Sequence, residues 1–523
     1  MALRNYNRNA TAQTVQAKPT QVVNNAGGYS FEVDAKQRLE RFLVLGVDGG
    51  TYYVNDNEIT EKTVAFISNL IATDEDLVRN TVVAVSDEGR AYRNTPAVFT
   101  MAMLMVDGTN KAATREVFSR VIRTSTHLFE FAQFVENLGG WGRSKRNAVA
   151  SWYENKDADK LAYQLIKYRQ RNGWTHRDLL RLTHPKHLDS ATAAFALKGE
   201  VTESAPRIMH GYAAMSQAKD VGTVLRVLEE YPQLPWEAIP TNLLNQADVW
   251  KALFYNGQLR GQNALRNVSR LSKIGAFGDM VFAADFSALI ADADNIKKSR
   301  LHPINYLNTI AAFDSSFTGG VWGMHTASLH PTVSDALDSG FHTAFKFVEP
   351  ANKRTLLGLD VSSSMSWTGT AGLNMSCSVA GAAMAMTIAR TEPHYAVMGF
   401  SSNFVDLEIT PRMKLNSVID KVSNRTFGGT DAALPMIWAQ KNNVMVDTFV
   451  VITDSETWAG SIHPHQALRN YRNKMNPDAR LAVIAMAGNS FSIADPADAG
   501  SMDFVGFDTA APRALSDFSA GRI

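Results

Sequence analysis

From Lys353 onward, short apolar runs rich in β-forming residues alternate with helical stretches. The runs are Thr355-Leu-Leu-Gly-Leu359, Tyr395-Ala-Val-Met-Gly-Phe400, Thr448-Phe-Val-Val-Ile-Thr453 and Leu481-Ala-Val-Ile-Ala485, and Val379 to Arg390 is one of the helices between them. Neighbouring parallel strands cannot be joined by a tight turn and need a crossover of about a dozen residues. The alternation therefore restricts this part of the chain to an α/β, doubly wound, mostly parallel sheet. Its onset sets a boundary near residue 350, with one domain over 351–523.

In such sheets ligands sit outside the carboxyl ends of the strands, at a topological switch point. Asp360 ends the first strand within Asp360-Val-Ser-Ser-Ser364, and Asp454 follows Thr448–Thr453. Thr430 lies in Gly428-Gly-Thr-Asp431, a turn before a helix, so all three pieces reach one edge. Asp360, Ser362, Ser364, Thr430 and Asp454 offer two carboxylates and three hydroxyls, the hard oxygen donors that Mg²⁺ prefers. The expected site is a metal-dependent adhesion site, which binds a carboxylate or phosphate oxygen and does not catalyse. The plainer reading of Asp-x-Ser-x-Ser alone is a strand-to-helix turn with capping serines. Asp431 is read as a helix cap, and His463 and His465 as surface loop residues.

Residues 28–350 carry a helical period throughout: Val64, Ile67 and Ile71 share a face, as do Leu128, Phe131, Val135 and Leu138. Helix after helix with short connections predicts an α-solenoid of stacked pairs. Residues 1–27, rich in Asn, Thr, Gln and Ala, have no apolar period and read as a flexible arm. No run of about eighteen apolar residues appears, and the N-terminus lacks a basic-then-apolar leader. The expectation is a cytoplasmic protein with no membrane partner. The single cysteine, Cys377, fits a reducing compartment and reads as a buried structural thiol.

Residues 351–523 hold 14 Lys and Arg against 15 Asp and Glu, and the whole chain carries a net charge of +1, so any basic surface has to be a local patch. Lys167-Tyr-Arg-Gln-Arg-Asn-Gly-Trp174 is the best candidate. Lys167 and Arg171, four apart, would face the same way on a helix with no acidic partner and offer donors to phosphate. Arg177, Arg181, His184, Lys186 and His187 continue the ridge with only Asp178 between. The competing reading is a solvated helix face, with His184 a satisfied histidine near a helix end. Arg123, His127, Arg143, Lys145 and Arg146 are weaker candidates at helix ends, where cations also complement the helix dipole. Trp141 and Trp174 could stack on bases, but tryptophans beside glycine turns more often pack in the core.

A series of segments carries a resemblance: Gly46-Val-Asp-Gly-Gly-Thr-Tyr-Tyr53, Gly139-Gly-Trp-Gly-Arg143, Gly173-Trp-Thr-His-Arg-Asp-Leu-Leu-Arg-Leu-Thr-His184, Arg300-Leu-His-Pro303, Val348-Glu-Pro350, Thr391-Glu392, Leu434-Pro-Met-Ile-Trp-Ala-Gln440 and Ile493-Ala-Asp-Pro496. The C-terminal part resembles a von Willebrand factor A domain. The chain from about residue 27 resembles the Ro 60 kDa autoantigen family, with its helical TROVE module in front. The arm and several loops depart from the vertebrate pattern, which points to a bacterial member. The resemblance implies a ring of HEAT-like helical repeats closed by the A domain. It implies binding of single-stranded 3′ ends of misfolded non-coding or ribosomal RNA in the hole, and of small Y-type RNAs outside. Lys167, Arg171 and His184 fall at positions that contact RNA on the outer surface of such proteins. Arg266, Asn267, Arg300 and His302 match segments of the inward-facing lining.

The function expected from these readings is non-catalytic RNA binding in RNA quality control, with a 3′-to-5′ exoribonuclease such as polynucleotide phosphorylase as a candidate partner. The alternative is a metal-dependent protein-binding adaptor built on the A domain. A nuclease is disfavoured: the chain has no Gly-x-x-x-x-Gly-Lys loop, no zinc-spaced His/Cys cluster and no second dense carboxylate group for a two-metal site.

Overall fold

The structure is a computed structural model, and it describes residues 10–46, 56–91, 93–299, 301, 303–313, 329–344, 350–367, 376–423, 428–506 and 511–523. After two short strands, β1 (Gln21–Val23) and β2 (Tyr29–Glu32), the chain is helical. The first helices are α1 (Ala35–Leu45), α2 (Asp56–Glu88), α3 (Thr95–Val106), α4 (Lys111–Val121), α5 (Ser125–Asn137), α6 (Arg143–Glu154) and α7 (Ala158–Lys167). A hairpin, β3 (Gln170–Arg171) and β4 (Trp174–Thr175), interrupts them before α8 (His176–Thr183) and α9 (Ser190–Lys198). Then follow α10 (Arg207–Ser216), α11 (Val221–Glu230), α12 (Ala247–Tyr255), α13 (Gly261–Lys273), α14 (Met280–Ala291), α15 (Ala293–Lys298), α16 (Pro303–Ala311) and α17 (Pro331–Ala344).

Helices pack on near neighbours in sequence: α1 on α2, α3 on α5, α6 on α8, α10 on α11 and α16 on α17. This is the stacked-pair arrangement that the apolar spacing predicts. Side-chain caps start many of the helices. Asn110 accepts from the Ala113 amide, Asp189 from Thr192 and Asp220 from Thr223, each filling one of the free donors of a first helical turn. In α2, Asp74 leaves helical geometry (φ −150°, ψ 75°) and accepts from the Leu77 amide, so it caps the second half of a kinked helix.

The C-terminal domain contains β5 (Thr355–Asp360), α18 (Ser363–Trp367), α19 (Cys377–Thr391), β6 (Tyr395–Phe400), β7 (Phe404–Asp406), α20 (Leu415–Ser423), α21 (Leu434–Lys441) and β8 (Thr448–Thr453). It continues through α22 (Pro464–Lys474), β9 (Arg480–Ala485), β10 (Phe491–Ser492), β11 (Ser501–Val505) and α23 (Ala511–Ser519). The main sheet has the order β11-β9-β8-β5-β6-β7, parallel except for the antiparallel edge pair β6–β7. β5 and β8 are buried along their whole length, because helices cover both faces. Leu357, Leu359, Val450 and Ile452 face α19 and the helical region's core, whereas Leu356, Phe449 and Val451 face α21 and α22. Cys377 is buried at the start of α19.

Both ends of the helical region contact this domain. At the α1 end, Arg41 pairs with Asp503 at 2.6 Å; at the α17 end, Asp335 pairs with Lys414 at 3.1 Å.

The flexible-arm expectation does not hold for residues 10–27. Gln13 is buried, donating to the Ile462 carbonyl and the Asp431 carboxylate, each at 2.8 Å. β2 pairs with β10, so the start of the chain adds a three-stranded sheet to the C-terminal domain. Side-chain amides replace an apolar period here: Asn24 Nδ2 donates to the Thr457 carbonyl at 2.9 Å, and Gln21 reaches His463. His463 and His465 are correspondingly buried, not surface loop residues. His463 Nε2 meets the Val15 carbonyl at 2.8 Å, and His465 packs edge-on against Phe31. Residues 1–9 lie outside the described residues.

Candidate metal edge and basic face

β5 and β8 are adjacent parallel strands whose register runs to Leu359 opposite Ile452, and the next residues, Asp360 and Thr453, meet one residue before Asp454. Asp360 Oδ1 accepts from the Ser362 amide at 2.9 Å, and Oδ2 from the Thr453 hydroxyl at 2.6 Å. Ser362 and Ser364 hydroxyls lie 3.1 Å apart, and Ser364 also bonds Asp454. The Thr430 segment is fastened to the loop that follows Asp454: its carbonyl accepts from the amides of Trp458 and Ala459, both at 3.0 Å. Gly429 permits that approach, since a Cβ there would stand 2.7 Å from the Ala459 Cβ and 3.0 Å from the Trp458 ring. Asp360, Ser362, Ser364, Thr430 and Asp454, drawn from three chain segments, are all buried.

Burial raises the proton affinity of both Asp360 and Asp454, and for Asp360 the neighbouring Asp454 adds to it. Two buried carboxylates side by side repel each other. Asp360, Ser362, Ser364 and Asp454 are linked by these hydrogen bonds, and with Thr430 they are the oxygen-bearing residues that could hold a small hard cation such as Mg²⁺.

One acidic residue at this edge escaped the sequence reading. Glu456 is fully buried two positions beyond Asp454, and burial, then Asp454, push its carboxyl up to about 7. It accepts from Asn25 at 2.8 Å, from the Ala26 amide at 3.2 Å and from Asn489 at 3.1 Å. The Asp-x-Glu spacing was the available signal, but its donors come from residues 25, 26 and 489, which no local pattern connects.

The basic face differs from the helical ridge expected. Helix α7 stops at Lys167, and Arg171 lies in β3, so the two do not share a helix face. The reason is Asn172-Gly173: both residues take positive φ (52° and 79°), the requirement of a tight two-residue hairpin turn. Arg171 is exposed but has an acidic partner, Glu130, at 3.3 Å. Lys167 Nζ donates to the Tyr163 hydroxyl at 3.1 Å and lies over the Tyr163 and Tyr168 rings. Arg177 and Arg181 are exposed along α8, and His184 caps that helix in left-handed geometry (φ 47°), also exposed.

Arg123 follows the end of α4 and donates to the Ser86 carbonyl. His127 sits in the first turn of α5; burial, then Arg123, lower its proton affinity to a pKa of about 4, so at neutral pH it supplies no cation. Arg143, Lys145 and Arg146 open α6, the end where the helix dipole is positive, so they do not complement it. Trp141 and Trp174 pack against each other, ring centres 5.8 Å apart. Arg266 is exposed on α13. Asn267 is buried, its amide donating to the Asn263 carbonyl at 2.8 Å within the helix, so it lacks the open exposure expected of a lining residue. Arg300, His302 and most of the Gly46–Tyr53 motif lie outside the described residues.

Residues 354–519 match the family model described as the Ro60 vWA domain, and residues 22–234 and 228–319 match the TROVE domain. The chain is 38% identical to an RNA-binding protein RO60 of Deinococcus radiodurans, covering 98% of this chain and 97% of that protein. It is 30% identical to an RNA-binding protein RO60 of Caenorhabditis elegans, covering 98% of this chain and 92% of that one. The crystal structure of the Deinococcus radiodurans RO (RSR) protein superimposes with a TM-score of 0.70 at 37% identity, over 94% of this chain and all of that one. With a TROVE domain followed by a Ro60-type A domain, and similarity that runs nearly end to end, the chain belongs to the Ro60 family.

Proposed function

We propose that this protein is a non-catalytic RNA-binding protein of RNA quality control. It captures single-stranded 3′ ends of misfolded or structured non-coding RNAs within a ring and holds a small Y-type RNA on its outer surface. The observation that carries the reading is the near full-length similarity to relatives named RNA-binding protein RO60. Exposed cations at Arg171, Arg177, Arg181 and Lys186 support the outer site, because phosphates supply most of the affinity in such complexes. The A domain, on this reading, holds Mg²⁺ through Asp360, Ser362, Ser364, Thr430 and Asp454, and presents it to an acidic oxygen of a ligand. An exoribonuclease would meet the bound RNA in the cytoplasm, where a lone buried thiol such as Cys377 is at home. The test compares a blunt RNA duplex with a 3′-tailed RNA of equal charge at moderate salt. Tighter binding of the tailed RNA is expected; equal binding would sink the threading reading.

A further inference from the structure

A cleft of about 830 Å³ opens between α4, α6 and the turn from α8 to α9. Its lining includes Arg115, Lys156, His184, Lys186 and His187, above a floor that contains Trp152. Of these, His184 and Lys186 already figure in the outer RNA site described above, whereas Lys156 and Arg115 do not.

Three features make the cleft a built site. The first is Lys156, whose ammonium stands 4.1 Å from the centre of the fully buried Trp152 ring. Burial lowers its proton affinity, and among the described residues no acidic side chain offsets that effect. A half-buried cation resting on an aromatic face with no carboxylate partner has an open demand for an anion. The second is the far wall. Glu154 Oε1 accepts from the backbone amides of Lys186 and His187, at 2.5 and 3.0 Å, which fastens the α8–α9 turn to the end of α6. The third is His184, a non-glycine residue in left-handed geometry directly before Pro185. Proline disfavours compact conformations in the residue before it, so this backbone is held there by its surroundings. The turn it makes carries Lys186 and His187 to the cleft wall.

The acids that face the cleft are Glu154 and Glu116. Glu154 is already engaged by the two amides, so the free hydrogen-bonding capacity of the cleft is dominated by donors. A phosphate needs such a set: cationic donors converging from more than one element, with walls that exclude part of the solvent.

We propose that this cleft is a phosphate-binding subsite with Lys156 as its central donor and Arg115 and Lys186 at its rim, and that it holds a backbone phosphate of RNA lying on the outer surface. The proposal rests on the RNA-binding reading above. It adds a second anchor beside His184, on different elements from Lys167 and Arg171.

The test measures fluorescence anisotropy of a labelled hairpin RNA with a single-stranded 3′ tail, from about 50 to 200 mM salt. Wild type is compared with Lys156→Gln, Lys156→Arg and Lys156→Gln/Arg115→Gln, each checked for unchanged thermal unfolding. The expected result is an affinity loss of about three- to tenfold in Lys156→Gln, with a salt slope shallower by about one. Lys156→Arg should retain both. If wild type binds the RNA and the double variant matches it in affinity and slope, the subsite is wrong while RNA binding stands. If wild type does not bind the RNA, the RNA-binding reading fails, and AMP titrated into wild type decides the cleft by itself. AMP binding abolished by Lys156→Gln would support a site for free phosphate esters, and no AMP binding would overturn the site.

Discussion

Arg41 in the helical region and Asp503 in the A domain meet at 2.6 Å with both side chains buried, 462 residues apart in sequence. Arg41 also donates to the Asn489 and Phe491 carbonyls, and the Ser492 hydroxyl donates to the same Asp503 oxygen. Asn489 accepts from Arg41 at its side-chain oxygen (3.1 Å) and turns its own amide to the Asp454 carbonyl at 2.7 Å and to Glu456, so one side chain touches both the domain contact and the candidate metal edge.

Removing one member of this pair leaves the other charged and buried. Arg41→Met or Asp503→Leu should each cost about 3–5 kcal/mol, while the double variant should recover much of that loss. Urea unfolding of the four proteins checks it. A double variant as unstable as the sum of the singles would mean that the two side chains act independently.

Mg²⁺ should stabilise the wild type, because it relieves the repulsion between the Asp360 and Asp454 carboxylates. At a hundredfold excess over Kd the gain is about 2.7 kcal/mol. Thermal unfolding with Mg²⁺ and with EDTA should show the shift in wild type and none in Ser362→Ala/Asp454→Ala. No Mg²⁺-dependent shift in wild type would remove the metal from the proposal.

His176 is held neutral between the Tyr153 hydroxyl at 2.8 Å and the Tyr168 carbonyl at 2.9 Å, and burial lowers its pKa to about 4. Below the ordinary histidine value the unfolded chain binds a proton that the folded one refuses, so this contribution is lost as pH falls from about 6.5 toward 4. The loss is on the order of 3 kcal/mol for this group. Glu456 has the opposite sign, its raised pKa favouring the folded state as pH falls from about 7 toward the ordinary carboxyl range. Unfolding free energies at pH 7 and pH 5 should therefore fall less in His176→Gln than in wild type. Equal losses would contradict the assignment.

Gly173 sits at φ 79° in the turn that presents Arg171. Gly173→Val should destabilise the hairpin by about 1–2 kcal/mol and weaken RNA binding, while Lys167 remains against Tyr163 and Tyr168. Anisotropy with the same RNA probe and a thermal melt check both parts. Unaltered binding with the expected melt would separate hairpin geometry from RNA contact.

The family and the order of its two parts were legible because they rest on local features. Apolar period 3.6 gives way to β-runs at Lys353, and Asp360, Thr430 and Asp454 fall at strand ends and turns that a doubly wound sheet must bring together. The Lys167–Arg171 relationship was misread although its cue was local: Asn-Gly overrode the four-residue helical spacing.

Other features had no local cue. Gln13, Asn24 and Asn25 look like an unpatterned polar arm, yet their amides are spent on Ile462, Thr457 and Glu456 more than 400 residues away. His127 read as a candidate cation until burial made it neutral, and Asn267 as a lining residue until its helix turned it inward. Periodicity and turn chemistry are written between neighbours, so the sequence by itself determined most of the elements, their order and the strand ends that gather the candidate metal edge. Burial and long-range pairing depend on which surfaces finally meet, so only the tertiary structure decided which polar groups keep their charge and which are consumed in holding the two parts together.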